Sequence, residues 1–417
     1  MFRITSRTAV LAAGRRTVET IEVPYGKSHF TLRVPEKGFE VLSCSELPPG
    51  GDHLAEILHT REFRRYADKT TLCIVNDGTR PTKTLDVIEQ GGLECQYIVA
   101  TGAHAPPTED ELIYIFGSEF RQKRILIHDA RDSTSKLVGV TTRQTPVKFN
   151  RSIFQYKRIL IIGSVEPHYF AGFSGGRKGL LPGVSAFETI EKNHSHYFSP
   201  GVASLKLKGN PVHEDMVEGV DLLDIPILSL NLVVGKHSEI LGAFCGSLED
   251  CLSEAAELAS YYYSVDLDQQ ADMVIACAPF PMDADLYQTQ KALVNAARAC
   301  RIGGKIVLIS QCRNGIGPRS FYDLMTAHDT LDDVLAYAKE NYRLGHHKAA
   351  SFAEILLQHQ VSIISDLSPE ELLPIRMHAT TPPDLEQTIA VVGDNGGTIL
   401  HMPEASLTVP RAPIVAN

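Results

Sequence analysis

TLCIVNDGTRPTKTLDVIEQGGLECQYIVA, residues 71–100, decides the fold. An apolar, β-rich run (TLCIV, 71–75) breaks into a polar turn, passes through a segment of helical length, and returns to a second β-rich run (QYIVA, 96–100). The unit recurs along the chain. RILIHDA (124–130) and RILIIG (158–163) are the other clear strands of the first half; DMVIACA (272–278), GKIVLIS (304–310), VSIISD (361–366) and TIAVVGD (388–394) read as the clearest strands of the second. Such alternation predicts an α/β fold with mainly parallel sheets and helices on both faces.

A chain of 417 residues is too long for one ordinary core, so two α/β domains are expected, with an active-site cleft between them. SLEDCLSEAAELASYYYSVDL (247–267) reads as a helix and its exit, which places the break near residue 270. The N-terminal domain is then residues 1–270 and the C-terminal domain 271–417, with the tail VPRAPIVAN packing back on the first domain or fraying. Ahead of the first strand, TIEVPY (20–25), the arginine-flanked run AVLAAG is too short for a targeting peptide and reads as an extension.

Composition narrows the function. With 43% hydrophobic and 22% charged residues the chain is that of a folded protein, and no apolar stretch is long enough to span a bilayer. A net charge of −10 with scattered Lys and Arg argues against nucleic acid as a partner, so a small molecule is expected. The eight cysteines stand singly without a CxxC pair, and read as buried, reduced thiols of a cytoplasmic protein.

In open α/β sheets ligands bind beyond the carboxyl ends of the strands. TLCIV runs into Asp77 and Arg80, QYIVA into His104, and RILIIG into Glu166 and His168. Each alone has a bland reading: a turn-forming Asp, a surface ion pair, a loop histidine. Together they offer an arginine fork for a carboxylate and two histidines able to exchange protons near neutral pH.

The run EPHYFAGFSGGRKGLLPGVSAFETIEKNH (166–194) follows. Its FSGGRKG segment departs from a Walker loop: arginine precedes Lys178 and glycine follows it, leaving no hydroxyl to hold Mg²⁺. The glycines still permit a tight turn with exposed amides, suited to an anion or to close approach of a flat ligand. Ser185 and Glu188 have the spacing of a capping box opening a helix, with His194 near its end, His196 pointing elsewhere, and His213 structural in the next helix. No HxxxH or CxxC supports a zinc site. In the second half Gln288 and Lys291 share a helix face at i, i+3, and Arg313 and Asn314 follow the strand GKIVLIS.

DGTRP (77–81), TGAH (101–104), EPHYFAGFSGGRKGLLPG (166–183), the position of His194, and QTQK (288–291) together resemble the lactate racemase family of nickel-pincer-nucleotide enzymes. The resemblance implies a racemase or epimerase of a 2-hydroxy acid. It implies a nickel-pincer nucleotide covalently bound to Lys178, with His194 as the protein's nickel ligand and Gln288 and Lys291 as cofactor contacts, Lys291 being suited to the phosphate. It further implies His104 and His168 as the acid/base pair, Arg80 as the substrate-carboxylate binder with Asp77 orienting it or the site, and cofactor-synthesis proteins as partners. Hydride transfer suits such a substrate, whose Cα hydrogen is too weakly acidic for easy proton abstraction. Ala105 and Pro106 after TGAH, and the absence of tryptophan, depart from the family's pattern and point to different substrate-side contacts. Two other readings stay open: an enzyme that binds a nucleotide or phosphorylated substrate through FSGGRKG without nickel, and a non-catalytic cofactor carrier.

Overall fold

A computed structural model describes residues 20–46, 53–80, 82–132 and 134–412. The chain forms two compact units, one of Glu46–Tyr262 and one in which the residues up to Ser45 join those from Tyr263 onward.

The Glu46–Tyr262 unit is built on a six-stranded sheet in the order Ile240–Gly246, Ile227–Val234, Arg158–Ser164, Thr71–Asn76, Gln96–Ala100, Ile125–Ile127. All neighbours are parallel except the edge strand Ile240–Gly246. TLCIV is buried on both faces, as a central parallel strand covered by helices must be. Its side chains alternate between two cores: Leu72 and Ile74 pack with Ile98, Ile161 and Leu180, while Cys73 and Val75 pack with Val87, Ile88 and Leu160. The helix Thr84–Gly91 supplies Val87 and Ile88 and closes the expected strand–helix–strand unit.

In the other unit a six-stranded sheet runs His378–Ala379, Gln360–Ile364, Cys300–Ile309, Ala271–Cys277, Ile399–Met402, Phe39–Val41, with every pairing parallel. A hairpin of Thr20–Tyr25 and Ser28–Arg33 packs Val23 and Leu32 into the same core as Met273, Ile275 and Ile309.

Three expectations are corrected. The break lies at Tyr262/Tyr263 rather than near residue 270, and the described residues up to Ser45 belong with the C-terminal unit because Phe39–Val41 pairs with Ile399–Met402. The tail strand Val409–Arg411 pairs with Ser264–Asp266 inside that unit rather than on the Glu46–Tyr262 unit. TIAVVGD is the end of the helix Pro382–Asp394, not a strand: Thr381 caps its start, prolines occupy the first turn, and Leu385 and Ile389, four apart, form its buried stripe. Residues 1–19 and 413–417, where the extension and most of the tail fall, lie outside the described residues.

All eight cysteines are thiols; seven are buried and Cys245 is half-buried. Burial pushes Cys95, Cys245 and Cys300 up to about 12, which keeps them protonated and unreactive. No helix among the described residues is long and apolar enough to cross a membrane.

Candidate functional site

Arg158–Ser164, Thr71–Asn76 and Gln96–Ala100 are adjacent and parallel, so the three loops leaving their carboxyl ends open at one edge of the sheet. Those loops carry Asp77, Arg80, His104, Glu166 and His168.

Asp77, only 8% exposed, is held at both oxygens. Oδ1 accepts from the Thr79 amide (3.2 Å) and the Thr79 hydroxyl (2.5 Å), and Oδ2 lies 2.7 Å from His104 Nδ1. Burial alone would raise this carboxyl, but the hydrogen bond and charge of His104, the Thr79 hydroxyl and the charge of Arg80 outweigh it and hold it below the usual carboxylate range. Arg80 turns to a different carboxylate: its guanidinium pairs with Glu166. Burial lowers the guanidinium from its ordinary value and Asp77 pulls it back. Asp77 thus contacts the exposed His104, and Glu166 is the side chain that holds Arg80.

The EPH segment folds into a tight turn in which His168 pairs with Gly172 and His168 Nδ1 accepts from the Ala171 amide at 3.3 Å. Around the buried ring of Phe170 stand the His168 ring (4.5 Å, edge-on), the His194 ring (5.1 Å) and Lys178 Nζ (5.9 Å). Three residues separated in sequence therefore converge on one aromatic side chain, a role for Phe170 that the sequence reading missed.

Arg177 builds the next turn. It is 1% exposed, and its guanidinium donates to four carbonyls: Ala171 and Phe173 at 2.9 Å, Ser174 at 3.2 Å and Gly175 at 3.3 Å. Burial pulls it down to about 9, so it stays charged at neutral pH. Gly175 lies at φ +82°, and a Cβ there would sit 2.4 Å from Val165 Cγ2, which restricts the position to glycine. Alternate amides of the loop are engaged within the protein: Ser174 donates to Glu166 O, Gly176 to Asn231 Oδ1 (2.9 Å) and Lys178 to Gly175 O. An anion cradle needs such amides turned outward, so the phosphate-loop reading loses ground. Lys178 is half-buried in the short turn Gly176–Gly179 that follows.

His194 lies in the last turn of the helix Phe187–Ser195. The expected capping box is absent. Ala186 is the N-cap, buried Ser185 donates to Leu180 O (2.8 Å), and Glu188 pairs with Lys148; the turn from Arg177 to Ser185 claims the serine before the helix can. Burial, reinforced by the charge of Lys178, lowers His194 to about 3, leaving the neutral imidazole that a metal requires. His196 points elsewhere, its Nε2 3.3 Å from Thr145 Oγ1 and 3.8 Å from Asp215. His213 is the third residue of the helix Pro211–Asp221, lowered to about 3 by burial and the charge of Arg177. Among the described residues no group of three or more His, Cys, Asp or Glu gathers as a metal site.

In the other unit, Gln288 and Lys291 lie at the start of the helix Leu286–Ala299, where Asp285 Oδ1 accepts from the Gln288 amide (2.7 Å). Lys348 was missed by the sequence reading. Its Nζ is 2.9 Å from Tyr287 O and 3.7 Å from the centre of the Tyr287 ring, and burial with the charge of Lys291 lowers it to about 7. Arg313 pairs with the buried Asp283 at 3.3 Å and lies over Phe280, and the Asn314 amide donates to Ala284 O.

Two family models match the chain: the lactate racemase N-terminal domain over residues 25–204 and the lactate racemase C-terminal domain over residues 267–405. Lactate racemase of Thermoanaerobacterium thermosaccharolyticum is 27% identical, covering 94% of this chain and 99% of its own. Lactate racemase of Lactiplantibacillus plantarum is 29% identical, covering 88% and 93%. Among solved structures, the lactate racemase apoprotein of T. thermosaccharolyticum superposes with a TM-score of 0.85 at 25% identity, over 94% of this chain and all of that one. A protein from Thermotoga maritima superposes at 0.71 with 15% identity, over 89% of this chain and all of that one, a likeness of fold alone.

Proposed function

Because the chain belongs to the lactate racemase family, we propose that it is an isomerase that inverts the hydroxyl-bearing carbon of a 2-hydroxy acid. The observation that carries this reading is the gathering of His168, His194 and Lys178 around Phe170 in the same unit as the Asp77–His104 and Arg80–Glu166 pairs.

A nickel-pincer nucleotide fits these residues: the buried, neutral His194 offers one nitrogen donor, and Lys178 stands beside the same ring as a point of covalent attachment. When bound, such a group supplies a hydride acceptor, which lets the Cα hydrogen leave and return without a free carbanion.

The chain's own residues do the rest. Arg80, kept in place by Glu166, binds the substrate carboxylate. His104 and His168 take the hydroxyl proton and return it as the substrate passes through the 2-oxo acid. Lactate is the first substrate to test, since the curated relatives are lactate racemases; Ala105 and Pro106 argue for including other 2-hydroxy acids.

The decisive experiment is intact mass and metal analysis of the protein made with and without the cofactor-synthesis proteins, followed by chiral separation on a 2-hydroxy-acid panel. Added mass on Lys178 together with bound nickel is expected. Neither, under conditions that load a known lactate racemase, would sink the mechanism. Retained turnover after replacing both histidines would remove their assignment, and cofactor capture without turnover by the intact protein would favour a carrier.

A further inference from the structure

We propose that His128, which the racemase reading leaves without a role, is a positioning residue: its backbone and one neutral tautomer of its ring tie the loop that carries His104 to the turn and helix that carry Lys178 and His194. It stands just past the strand Ile125–Ile127 and is 3% exposed.

The backbone of His128 holds the first segment. Its amide donates to Val99 O at 3.2 Å and its carbonyl accepts from the Thr101 hydroxyl at 2.7 Å; the Thr101 carbonyl in turn accepts from the His104 amide at 3.0 Å. The ring reaches the second segment. Nε2 lies 2.9 Å from the carbonyl of Ser185, which directly precedes Ala186, the N-cap of the helix that carries His194 in its last turn. In the same turn the Gly183 amide donates to Lys178 O at 2.9 Å. The backbones also meet on either side of Ser185, Gly102 N donating to Gly183 O (2.9 Å) and Phe187 N to Ala130 O (2.7 Å). His128 thus bonds the middle of a seam along which both segments run.

The ring can do this in one protonation state, and both nitrogens have a partner that fixes it. Ser185 O only accepts, so Nε2 carries the proton. At Nδ1 the neighbour is the side-chain amide of Asn150, 3.1 Å away. The oxygen of that amide is already claimed: Oδ1 accepts from the Ser152 backbone amide (3.0 Å), which can only donate, and from the Ser152 hydroxyl (2.6 Å). Asn150 Nδ2 therefore donates to His128 Nδ1, which keeps its lone pair. Burial lowers His128 from its ordinary value against the opposing pull of Ser185 O, Asp129 and Asp132, in keeping with a neutral ring. Glutamine also offers one planar donor and one acceptor; leucine offers neither and would leave the buried Ser185 carbonyl without this donor.

The roles of His104, Lys178 and His194 in a reaction rest on the racemase reading, but the tie between their segments does not. Long-range ¹H–¹⁵N correlation spectra of the full chain, labelled at histidine, free of cofactor and recorded at about pH 8 where unperturbed histidines are neutral, test it. The signal lost in His128→Gln is that of His128, and should show the Nε2–H form in at least about tenfold excess. In His128→Leu the ring signals of His104 and His194, assigned through His104→Asn and His194→Asn, should both shift, while that of His401 in the other unit stays; His128→Gln should keep all three in place. In the loaded enzyme His128→Leu should lower kcat on the order of 100-fold with a much smaller change in KM, and His128→Gln should recover most of it.

A residue that only stabilises the fold would lower the denaturant midpoint without moving His104 and His194 together. The Nδ1–H form in the wild type, or unmoved His104 and His194 signals in a folded leucine variant, overturns the proposal. If the leucine variant does not fold, Asn150→Asp decides: it keeps an acceptor for Ser152, sets a second acceptor at His128 Nδ1 and should draw a proton onto that nitrogen, and an unchanged ring signal overturns the proposal. Coupled signals in a protein that never acquires nickel would defeat the racemase reading alone.

Discussion

Arg80 and Glu166 leave the ends of two neighbouring strands and meet as an ion pair, the guanidinium of one against the carboxylate of the other. Glu166 thus fixes the arginine proposed to bind the substrate's own carboxylate. A hydrogen bond to a charged group contributes about 1.5–3 kcal/mol. Glu166→Gln should therefore raise KM for the 2-hydroxy acid on the order of tenfold, with a smaller change in kcat. A fall in kcat at unchanged KM would assign Glu166 to the chemical step instead.

Asp77→Asn keeps the shape of the side chain but replaces the carboxylate that lies 2.7 Å from His104 Nδ1 and orients that ring. Racemisation should fall by at least about 100-fold. Enantiomers with one stereocentre have equal free energies, so kcat/KM must fall by the same factor from either enantiomer, as chiral chromatography of the two progress curves would measure.

Arg177→Met should cost about 3–5 kcal/mol, since four loop carbonyls lose a buried charged donor. Arg177→Lys should recover little of it, because an ammonium cannot reach carbonyls spread around a planar fork. Denaturant midpoints of the unloaded protein give the comparison. A wild-type midpoint for the Met variant would refute this account of the loop.

Gly175→Ala and Gly183→Ala should each be destabilising by about 1–3 kcal/mol. A Cβ at Gly175 meets Val165 in a left-handed backbone, and one at Gly183 would lie 2.2 Å from the Gly179 carbonyl oxygen. Gly246→Ala, with nothing within 4 Å of its added carbon, is the control and should leave the thermal midpoint nearly unchanged.

Acid should weaken the fold through His401, which is 2% exposed on the strand Ile399–Met402 and lowered by burial to about 4. Its folded value lies below its unfolded one, so the unfolded chain binds the proton first. The stabilisation is complete above about pH 6.5 and is lost as the pH falls toward 4, by at most about 3 kcal/mol. His401→Phe should flatten the pH dependence of the denaturant midpoint across that window; an unchanged slope would mean another group carries it.

Thr71–Asn76, Gln96–Ala100 and Arg158–Ser164 were legible because central parallel strands, buried on both faces, must be short and almost wholly apolar, whereas Ile227–Val234, equally buried, and the edge strand Ile240–Gly246 went unread. TIAVVGD satisfied the same rule and was a helix; an apolar run of that length takes its conformation from the Thr381 cap and the prolines before it. His104 and His168 were legible as histidines at strand ends, and Lys178 and His194 through the motif that contains them.

Their partners were not legible. Asp77 stands three residues from Arg80 in sequence, yet its carboxylate is bonded to His104, 27 residues away, while Arg80 is claimed by Glu166. Phe170 and Arg177 were in plain view within the motif, but nothing local says that one ring would meet the side chains of His168, His194 and Lys178 or that one guanidinium would hold four carbonyls. The sequence by itself determined the α/β class and which side chains could do chemistry, because both follow from residue type and short spacing. The tertiary structure alone decided which carboxylate holds which cation, because that depends on which strands lie side by side and where their loops turn.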